Sequence, residues 1–265
     1  MACINPIELK TGDIVPCGYC NFCLQLKRMD WCFRLSEEQR DARSAYFITL
    51  TYSPECLPSH GDLVPDDHKN FLKRLRKFQE KLFDGLLSIR YFMAAEYGEI
   101  FGRPHYHYII FNLIPQTVNA LEKIWGKGRV DVGSCTGASI GYVTSYCINR
   151  FNYPGREPPF SRMSRKPGLG ANYLSKKIIR YHVESKVSDV SRNGVSAHMP
   201  RYYRHKIFDD SQRRELRKVQ LLEMETTYDR DIKRLKRFHS NPYYYYDERR
   251  RCAHEQINSQ LKYTL

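Results

Sequence analysis

Two histidines, His105 and His107, stand one residue apart at the start of the apolar run HYHYIIF. Side chains two residues apart on a β-strand lie on one face, about 7 Å apart, so nitrogens of both rings can converge on one metal ion. In a hairpin whose turn has an even number of residues, such as 99–102, Glu96 lies opposite His105 on that face. These three side chains predict a divalent metal site with one side open to water or a phosphate oxygen.

Two alternatives to this site stay open. A His-x-His pair on a strand is also typical of a solvated face or of a polar pair whose hydrogen bonds are satisfied. Glu99 is a competing carboxylate. Because Glu99 falls within the predicted turn, where its side chain is harder to aim, Glu96 is the predicted third ligand.

Two tyrosines, Tyr142 and Tyr146, lie four residues apart in IGYVTSYCINR, within a helix predicted for residues 138–150. Residues four apart share one helix face, so the two phenols rise from it one turn apart. Beside a phosphate-binding metal, a phenol can attack phosphorus, provided that the metal or a nearby cation helps it to ionise, since its ordinary pKa is about 10. The alternative is an aromatic stripe that packs against a sheet.

The chain has nine cysteines, and an odd number without a secretion signal argues against a disulfide framework. Cys17, Cys20 and Cys23 follow CxxCxxC spacing, which suits a structural Zn²⁺ ion, and Cys3 is the predicted fourth ligand. Cys32 is the substitute for Cys3. The alternative is a set of buried or free thiols in a reducing cytosol.

The charge of the chain favours a polyanionic partner. Lysine and arginine number 43 against 29 acidic residues, a formal net charge of +14. The 20 tyrosines and 13 phenylalanines offer flat faces on which unpaired bases can stack. No apolar run approaches the roughly 20 residues that span a bilayer, and the N-terminus lacks the apolar core of a signal peptide. We expect a soluble, non-exported protein that binds nucleic acid.

The elements that must position these residues follow one another as strand, helix, hairpin, helix, strand and helix. Strands are predicted at 45–53, 89–99, 104–113 and near 129–134, and helices at 22–42, 66–83 (with an acidic N-cap), 115–125 and 138–150. This order lacks the regular alternation of a parallel sheet, so we expect an α+β fold of the ferredoxin-like or RRM-like kind. Its antiparallel central sheet carries helices on one face and the site on the other, open face. Residues 151–204 read as ordered loops, and a charged helix begins at 209.

An ordered set of motifs resembles a known family. FITLTYS, EYG, GRPHYH and the Y-x-x-x-Y helix resemble the HUH endonucleases, which start rolling-circle replication. VPCGYCNFC, DWCFRL, IWGKGRV, FSRMSRKPGLG and MPRYYR are similar to landmarks of the replication initiators of microviruses, particularly the gokushovirus-like group. The resemblance runs from the N-terminus to about residue 208. It implies a Cys-rich arm at 1–30, an HUH endonuclease domain at 31–208 and a charged, basic helical tail at 209–265.

The resemblance also implies a mechanism. The ligands of Mg²⁺ or Mn²⁺ would be Glu96, His105 and His107, and either Tyr142 or Tyr146 would attack the scissile phosphodiester. Such enzymes leave a 5′-phosphotyrosine and a free 3′-hydroxyl for the host polymerase. Relatives usually carry lysine where this chain has Arg150, and arginine, which keeps the charge but is a poor acid or base, would be limited to holding phosphate.

The implied partners are single-stranded and origin DNA and the host replication helicase and polymerase, in the cytoplasm of an infected bacterium and without a membrane. Basic residues that could follow the DNA backbone, although solvated faces carry the same charges, are Arg74, Lys77, Arg103 and Arg165. Two alternatives remain. One is an HUH-type transposase or plasmid relaxase, and the other is a non-catalytic protein that binds single strands by stacking and forms no covalent adduct.

Overall fold

The computed structural model describes residues 3–10, 12, 14–83, 88–98, 101–146, 153–192 and 195–263. Its strands are β1 Ile7–Glu8, β2 Ile14–Val15, β3 Ala45–Thr51, β4 Arg90–Tyr97, β5 Pro104–Phe111, β6 Val130–Ser134, β7 Phe160–Met163, β8 Asp189–Arg192 and β9 Val195–His198. Its α-helices are α1 Asn21–Asp41, α2 Pro65–Leu82, α3 Pro115–Asn119, α4 Leu121–Trp125, α5 Gly137–Tyr146, α6 Lys176–Ser185, α7 Arg201–Ile207, α8 Asp210–Leu235 and α9 Pro242–Tyr263. Short 3₁₀ turns lie at Pro54–Cys56, Ser59–Gly61 and Ala171–Tyr173.

The chain forms two compact units. One is Trp31–Asn172, which holds the large sheet, and the other joins Met1–Asp30 with Tyr173–Leu265. The sheet unit begins at the residue where the endonuclease domain is predicted to begin. The division at 208 stays a prediction about function.

The large sheet has five strands in the order β6-β3-β5-β4-β7, and every neighbouring pair is antiparallel. The β-branched and aromatic residues of β3, β4 and β5 suit such a sheet because their side chains pack well on a pleated surface. The predicted α+β class with an antiparallel central sheet is therefore confirmed.

One face of the sheet is covered by α2 and α4. The apolar stripe of α2 packs against Ile48 and Tyr108 of the sheet, and Trp125 at the end of α4 joins the same cluster. The predicted acidic N-cap of α2 is wrong, because Val64 occupies that position without a side-chain bond. Two aspartates lie instead within the first turn, where negative charge favours the helix dipole.

The other face of the sheet is not open, and that expectation is wrong. Leu35 of α1 and Val143 of α5 pack there against Ile109 and Phe111 of β5, and all four are buried. The histidines lie beneath this layer rather than on a bare surface, since α5 covers the strands that carry them. The same layer of helices brings the tyrosines of α5 to the face that holds the histidines.

Three further differences concern helices. The predicted helix at 115–125 is two short helices, α3 and α4, that meet at Ala120. Residues 151–204 are not all loops, because they contain β7, α6, β8, β9 and the start of α7. The charged helix α8 begins after an Asp209 capping box with Gln212, close to the predicted residue 209. None of the described helices has a stretch that is long and apolar enough to cross a membrane.

The buried histidine of α2, His68, predicts a loss of stability in acid. Burial lowers its pKa from 6.5 to about 4, and the nearby cation Arg162 acts in the same direction. Its Nδ1 lies 2.8 Å from the Tyr108 hydroxyl, which can donate to the neutral ring. Because the unfolded chain binds the proton more tightly, the stabilisation is fully present above pH 6.5 and is lost as the pH falls to 4. A pKa difference of this size corresponds to about 3 kcal/mol.

Urea unfolding at pH values between 7 and 4 measures this effect. The His68→Gln variant serves as its own reference, because it lacks the titrating ring. Its free energy of unfolding should change less over this pH range than that of the wild type, whatever its stability at pH 7. Equal pH dependence in the two proteins would contradict the assignment to His68.

Candidate active site

The hairpin of β4 and β5 places Glu96 directly opposite His105, in the register that an even turn predicts. His107 pairs with Ala94, so the carboxylate and both imidazoles share one face of the sheet. His107 is buried, with 6% of its surface exposed, while Glu96 and His105 are half-buried. The structure thus brings the three predicted metal ligands together at one end of this face.

Two threonines of β3 anchor the imidazole rings. Thr49 Oγ1 lies 3.0 Å from Nδ1 of His107, and Thr51 Oγ1 lies 3.0 Å from Nδ1 of His105. Each threonine is also the cross-strand partner of its histidine. The sequence analysis did not assign Thr49 or Thr51 a role. The signal was present, because hydroxyl residues at alternate positions of FITLTYS share a face, as the two histidines do.

A direct hydrogen bond joins Glu96 to His107, with Nε2 donating to Oε1 at 2.9 Å. A ligating nitrogen carries no proton, so this bond must open if both groups are to bind one ion. Glu96, His105 and His107 do not form a tightly convergent ligand set among the described residues. Their donor types fit a divalent cation, and the threonines at both Nδ1 atoms leave the Nε2 atoms as the ligating positions.

Both tyrosines of α5 contact His107. The Tyr146 ring stacks on the imidazole with centroids 4.9 Å apart and planes at 5°, and the Tyr142 ring meets its edge at 5.5 Å. The Tyr146 hydroxyl donates to the Tyr142 oxygen. The helix spacing therefore delivers both phenols to the predicted metal ligands.

Burial sets the protonation states of this site. It lowers the pKa of His105, with a further contribution from His107, so the neutral ring that can bind metal predominates at pH 7. It also raises the pKa of Tyr146 above the ordinary value, and the hydrogen bonds with Tyr142 and Glu96 act in the same direction. Tyr146 is thus held as a protonated phenol in this arrangement and needs a change in its surroundings to ionise.

A glycine beside the site makes room for His105. A Cβ atom built at Gly98 would lie 2.8 Å from His105 Nε2 and 3.0 Å from its Cδ2. Real Cβ contacts are essentially never this short, so any larger residue would displace the ring. The backbone N–H of Gly98 also donates to the carbonyl of Arg103 at 2.8 Å, which closes the hairpin turn. Gly98 is a second residue to which the sequence analysis gave no role.

The predicted DNA-binding cations differ in their distance from the site. Arg103 lies near His105, and its Nη2 donates to the carbonyl of Tyr52 at 2.7 Å. Arg165 is exposed and acts on Tyr91, five residues before Glu96 along β4 and thus about 17 Å away. The structure does not bring Arg165 to the site.

The other predicted basic residues lie elsewhere or fall outside the described residues. Arg74 donates to the carbonyls of Ile124 and Trp125 at 2.8 and 3.0 Å, so it secures the end of α4. Lys77 is exposed on α2. Arg150 and the alternative ligand Glu99 lie outside the described residues.

The cysteines form a second cluster, in the other compact unit. The Sγ atoms of Cys3, Cys17, Cys20 and Cys23 all lie within 4.8 Å of one another. Cys32, the substitute fourth ligand, has its Sγ 3.3 Å from the hydroxyl of Thr144 instead. The structure therefore gathers the four predicted cysteines and leaves Cys32 out.

Comparison with known proteins gives the lineage of the sheet unit. A family model described as replication-associated protein ORF2 matches residues 45–151. Replication-associated protein ORF2 of Spiroplasma virus 4 is 28% identical over 216 residues, which are 72% of this chain and 67% of the relative. Replication-associated protein VP4 of Bdellovibrio phage phiMH2K is 29% identical over 247 residues, 77% and 76% of the two chains.

A third relative, replication-associated protein ORF4 of Chlamydia phage 1, is 27% identical over 218 residues, 72% of this chain and 52% of the relative. No solved structure matches the chain. The matched residues 45–151 include β3, the β4–β5 hairpin and α5, the elements that carry the candidate site. The resemblance to phage replication proteins is thereby confirmed, and this part of the chain belongs to the ORF2 family of replication-associated proteins.

Proposed function

We propose that this chain is a metal-dependent endonuclease that nicks and rejoins single-stranded DNA to initiate rolling-circle replication of a small phage. The work would take place in the cytoplasm of the infected bacterium. The single observation that carries the proposal is the contact of both tyrosines with His107, beside Glu96 and His105. A nucleophile and a ligand set for a phosphate-binding ion are thus placed side by side.

Glu96, His105 and His107 would hold Mg²⁺ or Mn²⁺, which when bound polarises the scissile phosphate and stabilises the charge that develops in the transition state. The chain itself orients these ligands, because Thr49 and Thr51 fix the two rings at Nδ1. The low pKa of His105 keeps its ring neutral and ready to ligate.

The reaction is an exchange of phosphodiester bonds. A tyrosine oxygen forms a bond to phosphorus while the bond to the 3′-oxygen breaks, and the phenol proton is balanced by the proton that the departing 3′-oxygen takes up. The product is a 5′-phosphotyrosine and a free 3′-hydroxyl. Because the ester energy is conserved in the tyrosine link, attack by a 3′-hydroxyl in the reverse direction rejoins the strand without a nucleotide cofactor.

Charge would supply most of the DNA affinity. Arg103 lies beside the site, and the net charge of +14 favours phosphate contacts across the protein. The free 3′-hydroxyl is the group that a host polymerase extends, and a host helicase would separate the strands ahead of it. These partners belong to the proposal.

Incubation of the protein with single-stranded phage DNA and Mg²⁺ or Mn²⁺ tests this function. A covalent protein–DNA product that resists denaturation and is sensitive to protease is the expected result. Binding without an adduct under both ions would instead favour a non-catalytic single-strand binding protein. Cleavage without covalent attachment would exclude a tyrosine nucleophile.

The close approach of Gly98 to His105 predicts a matched pair of variants. Gly98→Ala should slow cleavage by about 100-fold, because a displacement of a catalytic group by about 1 Å has effects of this size. Gly137→Ala, at the start of α5, is the control, since a Cβ there meets nothing within 4 Å. Initial rates of adduct formation at saturating DNA measure the difference. Equal rates for the two variants would show that the position of His105 does not matter.

A further inference from the structure

We propose that Cys3, Cys17, Cys20 and Cys23 bind one structural Zn²⁺ ion, and that this ion holds the N-terminal arm in its folded form. The site is separate from the tyrosine and histidine cluster, and it does not depend on the proposed nicking activity. Four thiols that meet in one place need a physical reason, because thiolates repel one another and neutral thiols hydrogen-bond weakly.

The distances between the sulfurs fit one tetrahedral ion. Cys17 and Cys23 have Sγ atoms 4.0 Å apart, and Cys20 Sγ lies 3.8 Å from that of Cys3 and 3.5 Å from that of Cys23. Four sulfurs at about 2.3 Å from a tetrahedral centre lie about 3.8 Å from one another. A disulfide requires about 2.05 Å, and all four cysteines are free thiols.

Backbone N–H groups point at the sulfurs. The amides of Tyr19 and Cys20 both donate to Cys17 Sγ at 3.3 Å, and the amide of Cys17 donates to Cys3 Sγ at 3.3 Å. Gly18 makes this turn possible, because its φ of +72° lies in the left-handed region that favours glycine. Donors arranged in this way stabilise anionic sulfur and fix its direction, as the outer shell of a metal site does.

The arm has little else to hold it. From Cys3 to Cys20, no described residue is buried, and Ile4, Ile7, Leu9 and Ile14 are exposed. The strands β1 and β2 contribute only two residue pairs. A segment without an apolar core commonly depends on a metal or a disulfide for its fold. The ion would close the loop from Cys3 to Cys17 that contains this small hairpin.

The same site connects the arm to the C-terminal helix. Nη2 of Arg250 in α9 donates to the carbonyl of Cys3 at 3.2 Å, and the rings of Phe22 and His254 lie 6.2 Å apart. Loss of the ion should therefore release both the arm and its contacts with α9. A closed set of four thiolates is typical of structural zinc, whereas a catalytic zinc site keeps one position open.

Metal analysis of the full chain, purified without chelator, tests the site. We expect about one equivalent of zinc by native mass spectrometry, and no visible absorption of the kind that iron–sulfur clusters give. Cys20→Ser and Cys23→Ser should lose the zinc. Cys56→Ser and Cys252→Ser are matched controls, because both thiols are exposed and lie outside the cluster, and they should retain it.

The choice of fourth ligand is tested by Cys3→Ser against Cys32→Ser, and only the first should weaken zinc binding. If the variants fold poorly, the wild-type protein can be titrated with a mercurial that captures thiols while zinc release is followed by a chromogenic chelator. Amide exchange in residues 3–20 should then accelerate by at least about tenfold, while that of β3 to β5 should not change. Wild-type protein that contains no zinc and takes up none in solution would overturn the proposal.

Discussion

Replacement of His105 or His107 with alanine should reduce DNA cleavage by about 1,000-fold or more. A metal ion supplies several kcal/mol of stabilisation to the charge that develops on the phosphate, and each 1.4 kcal/mol is worth about tenfold in rate. Single-strand binding should be largely retained, because phosphate contacts elsewhere provide most of the affinity. Adduct formation on denaturing gels and fluorescence anisotropy with the same oligonucleotide measure the two effects separately.

His60→Ala is the matched control, because His60 is exposed and belongs to neither cluster. Chelation of the wild-type protein with EDTA should mimic the histidine variants, and added Mn²⁺ or Mg²⁺ should restore the wild type but not the variants. Thermal unfolding separates a lost ligand from a lost fold, since His107 is buried. Full cleavage by the chelated wild-type protein would exclude the proposed role of the metal.

The register of the site could be predicted because it depends on local rules. Side chains alternate along a strand, so an even turn between β4 and β5 fixes Glu96 opposite His105 once the hairpin is recognised. The spacing of Tyr142 and Tyr146 follows in the same way from the helix repeat. Both rules act over a few residues and need no knowledge of the rest of the fold.

The layer that covers the site could not be predicted in this way. The position of α5 over β5 depends on contacts such as that of Val143 with Ile109, which join residues far apart in the chain. The loop prediction for 151–204 missed α6 for a related reason, since among the residues of that helix only His182 is buried and the apolar signal is weak. Long-range packing, rather than local pattern, decides both features.

The cysteine ligands show a prediction that helix geometry could have sharpened. Cys32 lies nine residues after Cys23 in a stretch with a helical pattern, and a rise of 1.5 Å per residue separates the two by about 13 Å. One ion cannot bridge that distance. Cys3 is therefore the better fourth candidate on physical grounds, and the structure places its sulfur in the cluster.

Removal of both phenols should abolish covalent attachment to DNA, whereas either phenol alone should support a single nick. The Tyr142→Phe and Tyr146→Phe variants keep the aromatic contacts with His107, so each should fold and form some adduct. The double variant has no nucleophile and should form none. Release of closed circles should be impaired in both single variants, because a second cut at the regenerated origin is needed while the first tyrosine is still linked to DNA.

The hydrogen bond between the two hydroxyls predicts the order of attack. Tyr146 donates to Tyr142, and an oxygen that accepts a hydrogen bond is easier to ionise, whereas burial and the same bond raise the pKa of the donor, Tyr146. We therefore expect Tyr142 to make the first cut and Tyr142→Phe to slow the first nick more than Tyr146→Phe. Peptide mapping of the adduct trapped at early times measures this directly. Early attachment at Tyr146 would reverse the order, and attachment at neither residue would overturn the mechanism, because no other described phenol contacts His107.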